Sequence, residues 1–281
     1  MKALCLATFF LITCSISYGQ ELNIMTFNIR LNIASDSVNS WPFRKDKVFS
    51  QIRYHQADIL GVQEAVPGQI VDLENALSRY SYVGVGREGG DRGEYSAIFY
   101  LKDKFQLLTS ATFWLSSTPS VVASIGWDAA LPRIVTWAKF KDRKSRKHFY
   151  VFNTHFDHVG KVAHKESARL LLHAIDSIAG KSVAVVTGDF NVHPDEEPMQ
   201  IMLKGDGNTG LTNASSVSLE PHYGPTGTFN GFGSRETNDK PIDYILFNSG
   251  VRVLKHATLS QTWMGKFASD HFAVLANIKL L

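Results

Sequence analysis

The sequence predicts an α/β fold built from two stacked β-sheets with helices outside them. Three observations lead there. Apolar, strand-like runs alternate with helical patterns along most of the chain. Some of these runs are separated only by Gly- and charge-rich turns, as in antiparallel pairs, while others are joined by a helix, as in parallel ones. No internal repeat, low-complexity tract or long Pro/Gly/Ser linker divides the 281 residues, and 44% hydrophobic content is enough for one large core. A single domain is expected.

The amino end differs in kind. Met1-Lys2 is positive, Ala3 to Ile16 is nearly all apolar, and Ser17-Tyr18-Gly19 offers small residues where a signal peptidase inspects. Residues 1–19 therefore read as a secretory signal, too short for a stable membrane span, with the functional domain at 20–281. The expected destination is secreted or periplasmic. Cys5 and Cys14 both lie in the signal, so the mature chain should carry no cysteine. Leu11-Ile12-Thr13-Cys14 faintly resembles a lipobox, but Thr13 fits poorly before the cysteine and argues against a lipid anchor. Losing Lys2 takes the formal charge from +3 to +2. Proteins that grip long polyanions usually carry a strong basic field. The one dense cluster, Lys139–Lys147 (KFKDRKSRK), lies between two apolar runs and reads as a solvated hairpin loop.

In chain order, Leu22–Phe27 is a first strand ending at Asn28. Trp41-Pro42 opens a helix over Phe43–Gln56. Ile59–Val62 is a second strand ending at Gln63-Glu64, and Pro67 opens a helix within Val66–Tyr80, with Ile70, Leu73 and Leu77 on one face. Tyr82–Val85, Ala97–Leu101 and Phe105–Leu115 read as antiparallel strands, and Ile134–Phe140 and Phe149–Asn153 flank the basic loop. Lys161–Ala179 is the clearest helix. After the apolar run Val183–Val186, residues 210–240 are loop-rich, and Asp243–Phe247 and Phe272–Leu280 close the chain as strands.

The chemistry sits at the ends of these runs. Val183–Pro194 (VAVVTGDFNVHP) delivers Asp189 and Asn191 at i and i+2, the same side of an extended chain. Asn28 and Glu64 end the first two strands. His155 ends the run Phe149–Asn153, with Asp157 and His158 just beyond. Asp243 begins a late strand, and Asp270-His271 precedes the last. Such residues are costly to bury without partners, so their recurrence at six strand ends predicts one shared site. Taken singly, each has a plainer reading: an Asx turn at Asp189, a strand-end amide at Asn28, a helix-capping carboxylate at Glu64.

The motifs FNIR, GVQE, NTHFDH, GDFN, IDYILF and SDH carry these residues in order across Leu22 to Leu281. Together they resemble the endonuclease/exonuclease/phosphatase superfamily of Mg²⁺-dependent phosphoester hydrolases. The resemblance implies a four-layer sandwich: two mixed β-sheets packed face to face with helices on both outer faces. It also implies Mg²⁺, with Mn²⁺ as an alternative and the number of ions open. A hard cation wants oxygen ligands, and Mg²⁺ uses few protein carboxylates. Glu64 is the expected ligand, helped by Asn28 and Asp270. Asp189 would orient or deprotonate the attacking water, with Asn191 fixing it. His271, promoted by Asp243, would stabilise developing charge, and His155 would contact the phosphate or leaving oxygen.

FWLS at Phe113–Ser116 and the stretch from Gly126-Trp127-Asp128 to Arg133-Ile134-Val135-Thr136-Trp137 resemble the secreted and deadenylase-like branch. Arg133 is a charged fork suited to phosphate, Trp127 an apolar wall and His158 a second phosphate contact; a structural Arg133–Asp128 pair is the plainer reading. Arg30 stands where DNA-repair relatives place an acidic residue. His164, His173 and His222 match no motif and read as surface residues, and no His or Cys spacing supports zinc. The expected enzyme is a monomeric hydrolase of small or single-stranded phosphoesters. A nuclease on extracellular DNA or RNA is the alternative, and a non-catalytic binding relative a third.

Overall fold

The computed structural model describes residues 21–233 and 240–281. The expected export signal, with Cys5 and Cys14, lies outside the described residues. The chain runs β1 (Glu21–Asn28), α1 (Trp41–Tyr54), β2 (Ile59–Ala65), α2 (Pro67–Ala76), β3 (Tyr80–Val83) and β4 (Tyr95–Leu101). It continues with β5 (Phe105–Trp114), β6 (Ile134–Asp142), β7 (His148–His155), α3 (Lys161–Ile178), β8 (Ala184–Asp189) and α4 (Glu197–Lys204). It ends with β9 (Thr212–Asn213), β10 (Asp243–Phe247), β11 (Val251–Leu259) and β12 (Ala273–Leu280). The strand orders are β11-β12-β1-β2-β4-β3 and β5-β6-β7-β8-β10-β9. Both sheets are mixed: β1 and β2 run parallel, as do β7 and β8, and the other pairings are antiparallel.

Alternation along β1 shows how the layers form. Leu22 and Ile24 face the second sheet, while Met25 and Phe27 face α1 and α2. Successive strand residues point to opposite faces, and here both faces are buried, so apolar residues occur on both, with Asn23 and Thr26 as the polar exceptions between Leu22 and Phe27. Val48, Phe49 and Ile52 of α1 and Ile70 and Leu73 of α2 fill that outer layer. On the far side, Leu171, Leu172 and Ile175 of α3 and Met199 and Met202 of α4 cover the second sheet. Each fully buried Phe or Leu in these layers contributes about 1.5–3 kcal/mol relative to exposure. The result is the expected four-layer sandwich.

Three details differ from the sequence reading. Val251–Leu259 forms a full edge strand, where no strand was expected. Its alternation is broken by a register shift between Val253 and Lys255, which hides the period of two. The basic segment begins inside β6 and turns at 143–147, with Asp142 Oδ1 accepting from Lys144 N and Ser145 N. His222 is no plain surface residue, because its Nδ1 meets Nδ1 of the buried His256 at 2.9 Å.

A polar pin joins the sheets. Asn153 of β7 donates to the carbonyls of Val62 and Ala97, 2.9 Å each, in the opposite sheet. Its Oδ1 accepts from Gln63 Nε2 at 2.6 Å and from Thr187 Oγ1 at 3.0 Å. Gly61 makes room for this cluster: a Cβ there would lie 2.3 Å from Thr187 Oγ1. Gln63 Oε1 is buried without a partner among the described residues, but the bonds of Asn153 to both sheets fix how one sits on the other.

Candidate active site

The carboxyl ends of β1, β2, β7 and β8 reach one edge of the sandwich, and β10 and β12, running the other way, start there. The registers place His155 opposite Asp189, and Asp189 opposite Asp243. A cleft of about 620 Å³ opens at this edge, lined among others by Glu64, His155, Asp189, Asn191, Asp270 and His271. Glu64 reaches it through a local device. The pairing of β2 with β4 shifts between Val62 and Ala65, and Glu64 takes φ of 62°. A bulge of this kind re-aims one side chain out of the strand's alternation.

Asp189 lies at the centre. Its Oδ2 accepts from Asn28 Nδ2 at 3.0 Å and lies 3.6 Å from His155 Nε2 and 3.7 Å from His271 Nε2. Its Oδ1 accepts from the backbone N–H of Asn191 at 2.9 Å. Burial, then repulsion from Asp243, pushes its carboxyl up to about 7. Asn191, at φ of 51°, turns its amide NH₂ toward His155 Nε2 and the carbonyl of Phe156, 3.1 Å each. Burial, joined by the charge of Arg133, keeps the His155 imidazole neutral, well below its ordinary range.

His271 is the opposite case. Burial disfavours its charge, but Asp243 and Asp189 together raise it well above the usual imidazole range. Asp243 Oδ2 takes the Nδ1–H at 2.9 Å and also accepts from Thr228 Oγ1 at 2.6 Å. The ring's Nε2 is thereby aimed at Asp189 and the cleft, and Phe229 packs edge-on against it at 5.1 Å. Ser269 Oγ donates to the carbonyl of Asn28 at 2.7 Å, tying the segment before β12 to the end of β1.

Two groups of side chains bear on a divalent cation. Asp189, Asp243 and His271 bring ligand atoms within 4.8 Å of one another. In that group His271 Nδ1 is already bonded to Asp243 Oδ2, at 2.9 Å. Glu64 and Asp270 suit a hard cation better. Glu64 accepts from Asn28 Nδ2 at 3.0 Å and Leu31 N at 3.1 Å, and Asp270 shares the Arg30 guanidinium with it. Burial raises the Asp270 carboxyl, with Glu64 adding to the rise and His271, Arg30 and Arg44 opposing it. Arg30 supplies part of the compensation, 3.9 Å from Glu64 and 3.6 Å from Asp270, while held by Asp36 at 3.0 Å. Asn28 gives its oxygen to Arg30 N at 3.0 Å and turns its NH₂ to the carboxylates.

The remaining expected residues divide. Arg133 and His158 both line the cleft, and Arg133 Nη2 meets His158 Nδ1 at 3.0 Å. The acidic partner of Arg133 is Asp157, at 3.4 Å, rather than Asp128. Asp128 instead caps α3, accepting from Val162 N and Ala163 N at 3.2 and 2.7 Å. Burial works against Asp157's charge, but N–H groups of Gly160, Val159 and Ala130, with Arg133, hold its carboxyl at about 2. Trp127 is 39% exposed and is not among the cleft-lining residues. Sequence reasoning passed over Arg87 and Glu94, which line the cleft from the hairpin between β3 and β4, and Arg44, buried under the 29–31 loop. None of these three ends an apolar run.

A buried carboxylate near neutrality, an imidazolium facing it and an acidic pair fit for a cation define a hydrolytic site for phosphoesters. Residues 25–271 match the Endonuclease/Exonuclease/phosphatase family, and the chain belongs to it. It is 32% identical over 220 residues to an uncharacterised protein, L388, of Acanthamoeba polyphaga mimivirus, covering 74% of this chain and 80% of that protein. The crystal structure of the endonuclease/exonuclease/phosphatase from Bacteroides vulgatus superposes with a TM-score of 0.89 at 38% identity, covering 93% of this chain and all of that one. A mannosyl-6-phosphatase of Bacteroides thetaiotaomicron superposes with a TM-score of 0.87 at 35% identity, covering 92% of this chain and 99% of that one.

Proposed function

We propose that the protein is an exported, metal-dependent hydrolase of small phosphoesters, with Glu64 and Asp270 holding a Mg²⁺ or Mn²⁺ ion near Asn28. When bound, that ion polarises the phosphoryl group and offsets charge on its oxygens. The chain's own residues do the rest. Asp189, ionised in part at neutral pH, takes the proton of the attacking water, and Asn191 N–H fixes the carboxylate that does so. The His271 imidazolium, held by Asp243, faces the charge that develops on a non-bridging oxygen. Neutral His155 borders the cleft beside Asp189, and the leaving oxygen takes its proton from solvent water.

The observation that carries this reading is the placement of Asp189 between two histidines, 3.6 Å from His155 Nε2 and 3.7 Å from His271 Nε2, with Asp243 holding the second ring. Preference for a small substrate is supported by the near-neutral net charge and by the mannosyl-6-phosphatase among the relatives. A comparison with Mg²⁺ of p-nitrophenyl phosphate, bis-p-nitrophenyl phosphate, single-stranded oligonucleotide and plasmid tests it. Turnover of the small esters with a shallow salt dependence is expected. A steep loss of oligonucleotide affinity between about 50 and 200 mM salt would favour the nuclease alternative instead. Export is tested by intact mass: the mature protein should begin near Gln20.

A further inference from the structure

The corner of the cleft beside His155 is occupied by an ion pair that the chemistry above does not use. Arg87 Nη1 lies 2.9 Å from Glu94 Oε2, and the two side chains are only 11% and 14% exposed. Their backbones are set by the hairpin: Arg87 N–H donates to the Glu94 carbonyl at 2.9 Å, and Trp114 Nε1 donates to the Arg87 carbonyl at 2.7 Å. The turn has no slack, since a Cβ on Gly86 would lie 1.9 Å from the Arg92 carbonyl oxygen. Arg87 Nε is buried with no partner among the described residues. A void of about 10 Å³, bordered by Arg87, Glu94, Arg133 and His155, adjoins this pair. That is room for about one water-sized group.

The charges in this corner balance. Arg87 and Arg133 are matched by Glu94 and Asp157. A second phosphate placed here would meet the Glu94 carboxylate. A hydroxyl would not, because it donates and accepts at once and so matches a carboxylate and a guanidinium side by side. Apolar surface also borders the cleft, where Leu131 and Phe229 are 37% and 49% exposed. It suits the C–H face of a carbon skeleton whose hydroxyls reach the corner.

We propose that the Arg87–Glu94 pair is the specificity subsite of the cleft and reads hydroxyl groups on the alcohol portion of a phosphorylated sugar or polyol. This rests on the hydrolase reading above. With the phosphoryl group at Asp189 and His271, the ester oxygen passes His155, which borders both the main cleft and the small void. The hydroxyls then fall on Glu94 and Arg87.

The test compares mannose 6-phosphate, glucose 6-phosphate, a hexose 1,6-bisphosphate and p-nitrophenyl phosphate, in wild type and in Glu94→Gln and Arg87→Met. Glutamine keeps the shape of Glu94 and removes its charge. The ratio of kcat/KM for a hexose 6-phosphate to that for p-nitrophenyl phosphate should fall about tenfold or more in Glu94→Gln, mostly through KM. Arg87→Met should move the same ratio in the same direction. An unchanged ratio in both variants, or equal losses on all substrates, overturns the proposal. So does a Glu94→Gln variant that gains on the bisphosphate relative to the monophosphates, the signature of a second phosphate at this corner. A wild type that cleaves p-nitrophenyl phosphate but no hexose phosphate sinks this inference alone, whereas one that cleaves neither sinks the hydrolase reading as well.

Discussion

Replacing Asp189 by Asn separates the charge of the central carboxylate from its shape. Burial and Asp243 hold that carboxyl at about 7 against an ordinary 3.8. The gap corresponds to roughly 4 kcal/mol of added cost for ionising Asp189 in the folded chain. The folded state binds this proton more tightly than the unfolded state does. Stability from this group is therefore fully present below about pH 4, declines as the pH rises towards about 7, and is flat beyond. The Asn variant lacks that slope. It retains an acceptor for the Asn191 N–H, and the weakened bond from Asn28 and lost attraction to His271 are already contained in that gap. Metal-free variant at pH 8 should then be a few kcal/mol more stable than wild type, with Tm raised by several degrees. The advantage should shrink towards zero as the pH is lowered towards about 4. Calorimetry in EDTA across that range reads the difference, and turnover with Mg²⁺ should fall about 10²–10⁴-fold. A stability difference that is the same at both ends of the range would refute the account of a desolvated carboxylate. Undiminished turnover would refute its role as base.

Three other perturbations address other parts of the site. Glu64→Gln should weaken Mg²⁺ binding by calorimetry and lower activity, with Tm changed by no more than a few degrees; full activity in EDTA would contradict the assignment. Arg133→Ala removes the guanidinium that meets Asp157 and His158, so KM should rise with kcat less affected and Tm should also fall. An intact KM with a lowered Tm would make Arg133 structural only. Asn153→Ala strands the Val62 and Ala97 carbonyls and should cost about 2–4 kcal/mol in urea denaturation, and a loss below about 0.5 kcal/mol would show that the buried cluster is not a structural pin.

Much of the site was legible because it follows one rule. Asn28, His155, Asp189, Asp243 and His271 each adjoin an apolar run, where a polar side chain has no reason to be unless others meet it. What decided the geometry was less visible. Glu64 turns to the cleft through a bulge, and nothing in GVQE marks a bulge. Arg87 and Glu94 sit in a hairpin whose glycines and charges look like ordinary turn chemistry, and only the packing of Trp114 on that turn shows that it is rigid. The pairing of Arg133 with Asp157 rather than Asp128 was likewise a matter of tertiary position, since both acids are near in sequence. The edge strand Val251–Leu259 was lost because its irregular register erases the alternation that would have announced it.

The pin between the sheets bears on how such a site can change over time. Asn28, Glu64, Asp270 and His271 ride on one sheet, and His155, Asp189 and Asp243 on the other. The reacting geometry is thus split across a seam, like two half-moulds that make a casting only when aligned. Asn153, Gln63 and Thr187 are the dowel of that mould, well inside it and touching nothing that reacts. An apolar replacement of the whole dowel could keep the halves together while letting them slip. Such a protein would mis-set Asp189 and His155 against Glu64 and His271. The loops at the rim are free of that constraint, so new substrates can be acquired there without disturbing the alignment underneath.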